Sequence, residues 1–93
     1  MATINDLPKL EGIRDFFRSE IYGEVGKLLE AKGVFGDRSD PLYMESLSIM
    51  GEANKLVDIL WNDGRSSEEK DQYIEKTVQQ LTERLAVLKQ KLL

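Results

Sequence analysis

The segment from Pro41 to Trp61 places the strongest constraint on how this chain can fold. At helical spacing its apolar residues cover about half of the circumference, from Leu56 round to Leu47. A helix at a protein surface usually carries a narrower apolar stripe, so a wider arc indicates neighbours on two sides. The sequence therefore predicts that this helix is central, with the helices before and after it packed against it and with Trp61 as its last large core residue.

The residues before this segment predict a first helix from about Lys9 to Lys32. Gly33 after Lys32 is typical of a helix end, because glycine accepts the left-handed conformation that stops a helix. The apolar residues recur at steps of three and four, which keeps one face of the helix apolar. They are Leu10, Ile13, Phe17, Ile21, Val25 and Leu28, with Leu29 at the edge of the stripe.

The last part of the chain carries the clearest signal for a helix start. Ser66 and Glu69 fit a capping box, in which the serine and a glutamate three residues later satisfy the first backbone N–H groups. The apolar residues that follow alternate four and three apart, as in the seam of a coiled coil. They are Ile74, Val78, Leu81, Leu85, Leu88 and Leu92.

This seam has two interpretations. It fills the groove between the first two helices within one chain, which we favour, or it pairs with a second chain as a coiled coil. Arg84, Lys89 and Lys91 flank the seam and would repel a parallel copy in register. An antiparallel pair of chains stays open as an alternative.

Short loops join the three predicted helices. Asp40 is a natural N-cap with Pro41 at the first helical position. Short connections imply antiparallel neighbours. We therefore predict one domain over residues 1–93, an all-α antiparallel three-helix bundle with helices at about 9–32, 41–61 and 67–92, either alone or as a homodimer.

Composition excludes several classes of chemistry. The chain has no Cys and no His, so thiolate catalysis, disulfides, thiolate zinc sites and histidine bases are all absent. The formal net charge is −4 and no basic stripe occurs, which argues against nucleic acid and anionic membranes. We see neither a signal peptide nor an apolar run of about 20 residues. We expect a cytoplasmic protein with no catalytic residue, no cofactor and no metal.

One surface feature stands out on the first helix. Three glycines and a serine fall on the side opposite its apolar stripe, although each glycine inside a helix costs roughly 1 kcal/mol relative to alanine. Two aromatic residues flank this side, and aromatic residues often anchor interfaces. The predicted partner-binding residues are Gly12, Phe16, Ser19, Tyr22, Gly23 and Gly26. The competing interpretation is a solvated face whose glycines are merely tolerated.

Carboxylates on the first two helices suggest a second possibility. The sequence segments that begin at Glu24 and Lys55 resemble helical segments of the MazG-type all-α nucleoside-triphosphate pyrophosphatases. That resemblance implies Mg²⁺ held between the two helices, with Glu24 and Asp58 at ligand positions. Independently of it, Glu20 and Glu24 on the first helix and Glu52 and Asp58 on the second are paired carboxylates, which can hold Mg²⁺ when their helices face each other. Lys27 and Lys55 stand where that family has glutamates. The alternative is that these carboxylates form ion pairs, and an antiparallel hairpin predicts the pair Glu20–Lys55.

The sequence thus favours a non-enzymatic helical protein–protein interaction module, such as an adaptor, a chaperone-like factor, or a regulator or inhibitor of another protein. Its partner would be another protein or a second copy of itself. The alternative function is a divergent MazG-like, magnesium-dependent nucleotide pyrophosphohydrolase with a broken metal motif.

Overall fold

The computed structural model of this chain is all-helical over the residues it describes, which are 7–62 and 64–93, with side chains for 7–59 and 64–93. The predicted core residue Trp61 lies outside the described side chains. The first helical rod has three parts that follow one another without a break. The elements are α1 (Leu7–Glu20), a π-helical segment (Ile21–Val25), α2 (Gly26–Ala31), α3 (Pro41–Asn62) and α4 (Ser67–Leu92).

Two side chains start the second and third helices as predicted. The carboxylate oxygen Oδ1 of Asp40 accepts the backbone N–H groups of Leu42 at 2.9 Å and Tyr43 at 3.1 Å. The hydroxyl of Ser66 accepts the N–H of Glu69 at 3.2 Å, and it donates to the carboxylate of the same glutamate at 3.1 Å. Each cap satisfies N–H groups that have no partner inside the helix.

The first rod ends at a glycine in the left-handed region. Gly33 has φ +73°, and its N–H donates to the carbonyl of Glu30 at 2.9 Å. The N–H of Val34 reaches back to the carbonyl of Leu29 at 3.0 Å, which completes a Schellman arrangement. The rod begins two residues before the predicted start and ends one residue before the predicted stop.

Helix α3 lies at the centre, because both α1 and α4 pack along it while α1 and α4 approach each other much less. The three helices thus bury one shared core, as the wide apolar arc of α3 predicts. Its side chains come from every helix. They are Phe17, Ile21, Val25 and Leu29 of the first rod, Ile49, Ala53 and Leu56 of α3, and Leu81, Leu85, Leu88 and Leu92 of α4.

The π-helical segment corrects the predicted apolar stripe of the first helix. Phe17, Ile21, Val25 and Leu29 follow at successive steps of four, and all are buried. In a regular α-helix such a run drifts around the axis, whereas a π-helical turn holds more residues and keeps them stacked. Leu29 is therefore fully buried and Leu28 only half-buried, the reverse of the predicted order.

The apolar seam of α4 packs against the other helices of the same chain. Leu81, Leu85, Leu88 and Leu92 are buried in the shared core. Ile74 and Val78, nearer the start of the helix, stay half-buried. Among the described residues, no helix has the length and apolar character that crossing a membrane requires.

Candidate functional site

The face predicted to bind a partner is largely open on the outside of the first rod. Gly12, Ser19, Phe16 and Tyr22 are exposed, and Gly23 is half-buried. Phe16 is 52% exposed and Tyr22 is 60% exposed. A Cβ atom placed on Gly12 or Gly23 would meet no atom within 4 Å, so the helix surface is open at both glycines.

Gly26 is set apart from the other five predicted residues. It is buried, and a Cβ atom there would lie 3.0 Å from the carbonyl oxygen of Ile21 and 3.6 Å from the ring of Phe35. The π-helical segment changes the direction in which the residues after it point, and this turns Gly26 toward the first loop. Gly26 therefore contributes close packing beneath Phe35, and the accessible face is Gly12, Phe16, Ser19, Tyr22 and Gly23, which we call the glycine face.

A buried neighbour supports Phe16 on this face. The rings of Phe16 and Phe17 meet edge to face, with 5.4 Å between centroids and an angle of 76° between planes. Phe17 is 1% exposed, so it is fixed in the core. Phe16 therefore stands on a rigid base and presents its outer surface to solvent, as an interface anchor does.

Opposite effects are expected when alanine replaces Gly12 and Gly26. Gly12→Ala adds a methyl group in open space within a regular α-helix, so we expect a gain of about 0.5–1 kcal/mol in the free energy of unfolding. Gly26→Ala brings a Cβ atom against the Ile21 carbonyl, and we expect that this contact removes the gain and lowers stability. Urea unfolding followed by circular dichroism measures both. Equal stabilisation by the two variants would contradict the packing described for Gly26.

Two carboxylates of the first rod share one lysine of α4. The Lys89 ammonium lies 2.9 Å from Glu20 Oε2 and 3.2 Å from Glu24 Oε2. The hydrogen bond to Glu20, assisted by Glu24, raises the pKa of Lys89 above its ordinary value despite partial burial. The predicted pair Glu20–Lys55 is therefore wrong. Glu20 lies on the side of the first rod that faces α4, and not on the side that faces α3.

A second cluster joins α3 to α4. The guanidinium of Arg84 donates to the carboxylates of Glu45 and Glu52 and, at 2.8 Å, to the hydroxyl of Ser48. The hydrogen bond to Glu45 is the main reason why the pKa of Arg84 is raised further. A planar guanidinium with several donors suits this arrangement of acceptors.

These contacts do not fit the magnesium site that the family resemblance implies. Glu20 and Glu24 contact a lysine, Glu52 contacts an arginine, and Asp58 is exposed. Within the described residues, no set of three or more acidic side chains could hold a metal ion. Mg²⁺ needs several oxygen ligands around one point, whereas cationic side chains already contact three of these four carboxylates.

Comparisons with known proteins add no relative to this picture. No protein family model, no curated protein and no solved structure matches the chain.

Proposed function

We propose that this protein is a non-enzymatic helical interaction module, an adaptor, chaperone-like factor, or regulator or inhibitor of another protein. It would dock a helix of another protein, or of a second copy of itself, on the glycine face. One observation carries the proposal: the first rod exposes two aromatic side chains, Phe16 and Tyr22, together with two glycines, Gly12 and Gly23, whose Cβ positions have no neighbouring atom within 4 Å.

The glycine face has the two properties that helix docking requires. The missing side chains at Gly12 and Gly23 allow another backbone to approach closely. Phe16 and Tyr22 then supply apolar area beside the contact, and large aromatic residues provide much of the binding energy in many interfaces. A glycine inside a helix weakens that helix, so a docking role accounts for a feature that folding alone does not favour.

Charges beside this face support a contact that is mainly apolar. Arg14 forms ion pairs with Asp15 at 3.0 Å and with Glu11 at 4.0 Å. These contacts offset part of the negative charge beside the face. The recognition of a partner helix would then depend mainly on shape and aromatic contact.

The proposal includes a single antiparallel three-helix domain in the cytoplasm. Arg84, late in α4, contacts Glu45, early in α3, which supports an antiparallel α3–α4 pair. Lys89, near the end of α4, contacts Glu20, the last residue of α1, which supports the parallel α1–α4 pair that alternating helix directions require. The cytoplasmic location stays a prediction from the cysteine-free sequence.

Filling the glycine face tests the function directly. Gly23→Leu places a bulky side chain in the space that the partner would occupy, and Gly51→Leu is the matched control. Gly51 is an exposed glycine within α3 whose Cβ position is equally free of neighbours. Self-association is measured by sedimentation equilibrium, and binding to other proteins by quantitative affinity capture from the source cells.

The two variants should differ in their association. We expect Gly23→Leu to lose the association that wild type and Gly51→Leu share, because only the first substitution blocks the face. Both folds are checked by circular dichroism. If the two variants retained identical binding, or lost it equally while folded, the glycine face would not be the docking site.

A further inference from the structure

A groove separates α1 from α4 at the end of the molecule where both helices begin. It encloses about 490 Å³. Its floor is apolar, and its rims carry charged residues. The lining residues are Lys9, Leu10 and Ile13 from α1, and Asp71, Ile74, Glu75 and Val78 from α4.

The groove exists because α1 and α4 both pack on α3 more than on each other. Leu10 is buried beneath it, but Ile13, Ile74 and Val78 remain half-exposed. Each of these three could bury more apolar surface if another helical surface covered the groove, and such burial stabilises association by roughly 25 cal/mol per Å² before its costs.

The glycine face continues from the rim of this groove. Lys9, Gly12 and Phe16 follow one another at steps of three and four within α1, which places them along one side of this helix. A surface that covers the groove would therefore also reach Gly12 and Phe16. The groove and the part of the glycine face formed by Gly12 and Phe16 thus make one extended surface.

The charges on the two rims have opposite signs. On α1 the rim carries Lys9, and on α4 it carries Asp71 and Glu75. Further along, Glu20 and Glu24 of the first rod bind Lys89 of α4 within the chain, so this level adds nothing to the recognition of a partner. At the groove itself, a partner with charge of one sign would be repelled by one of the two rims. A second groove rotated by half a turn would place its negative rim over the positive rim of the first, and its positive rim over the negative one. Both rims would then attract it.

We propose that a second copy of this chain covers the groove, related to the first by a two-fold axis that runs along it. Such an axis places α1 of each copy over α4 of the other at the same level. Lys9 of each copy then lies opposite Glu75 of the other copy, so this contact occurs twice in the interface. This contact is isologous, because the same patch serves on both copies. The inference rests on the proposed function and names the partner for the same surface.

Shape agrees with this orientation. Lys9 and Glu75 line opposite sides of the groove. An equal offset along the two helices places the exposed Phe16 near the level of Thr82, which is a small exposed residue of α4. The hydroxyl of Thr82 donates to the carbonyl of Val78 at 2.8 Å, so it is already satisfied. Phe16 of one copy can therefore pack on Thr82 of the other without leaving that hydroxyl unpaired.

A charge exchange between two variants tests the pairing. Lys9→Glu alone places two glutamates opposite each other at both contacts, and Glu75→Lys alone places two lysines there. We expect each variant to self-associate about tenfold more weakly than wild type, corresponding to about 1.4 kcal/mol. In a mixture, both contacts of the mixed dimer again join a lysine to a glutamate. Native mass spectrometry should show the mixed dimer as the dominant dimer.

Lys76→Glu and Glu83→Lys provide the matched control, because both residues are exposed on α4 outside the groove lining and the substitutions change charge identically. These variants should dimerise as wild type does, with no preference for the mixed dimer. A monomeric wild type, or a mixed dimer no more abundant than in the control mixture, would overturn the inference. The proposed function would survive that result if Gly23→Leu, but not Gly51→Leu, still lost binding to another protein.

Discussion

Replacing Phe17 with alanine is expected to lower the free energy of unfolding by about 3–5 kcal/mol, the usual cost of removing a buried phenylalanine. Its ring is 1% exposed and belongs to the core shared by the three helices. A domain of this size has a total stability of only about 5–15 kcal/mol. The variant should therefore unfold at much lower urea concentration, as measured by circular dichroism at a protein concentration low enough to keep the chain monomeric.

Its neighbour provides the control. Phe16→Ala removes the same ring from a position that is 52% exposed. Only part of its area and one edge-to-face contact are lost, so we expect a change of about 1 kcal/mol or less. Equal destabilisation by the two substitutions would contradict the orientation of α1 described above.

Replacing Arg84 with methionine is expected to destabilise the protein by about 1–2 kcal/mol. The variant removes the donor shared by Glu45, Glu52 and Ser48 and leaves two carboxylates close together without their cation. Hydrogen bonds to charged groups contribute about 1.5–3 kcal/mol each, but the guanidinium is 29% exposed and its partners more so, which reduces the sum. Urea unfolding at low ionic strength measures the loss.

Lys91→Met removes the same charge from the same helix at an exposed position. We expect a change within about 0.5 kcal/mol, as for most surface substitutions. Because salt screens exposed ion pairs, the difference between the two variants should shrink at about 1 M salt, where the Debye length is only about 3 Å. If Arg84→Met were no more destabilising than Lys91→Met, the cluster would not hold α3 to α4.

The features that the sequence predicted well depend on neighbours within a few residues. Asp40 caps α3 and Ser66 caps α4 through backbone groups two or three positions away. Gly33 ends the first rod through its own backbone angle. The central place of α3 also follows from a local property, since the width of its apolar arc records how many neighbours it has.

The features that the sequence missed depend on contacts across the fold. The pair Glu20–Lys55 assumed that the hairpin alone decides the partner, whereas Lys89 of α4, distant in sequence, approaches Glu20. The groove between α1 and α4 could not be predicted from the sequence of either helix alone, because it depends on how both helices pack on α3. The sequence does carry a signal for the π-helical segment: the steps of four from Phe17 to Leu29 exceed the α-helical repeat and indicate a wider turn.

The π-helical segment Ile21–Val25 has a consequence for how the first rod can change in length. A regular helix that gains or loses one residue rotates everything beyond that point, and the side chains it buries are exchanged for their neighbours. Here the wider turn already absorbs an additional residue. We expect a chain shortened by one residue within this segment to wind as an uninterrupted α-helix and still direct both Phe17 and Leu29 inward. At this turn, the first rod could therefore lose one residue without changing which of its side chains face the core.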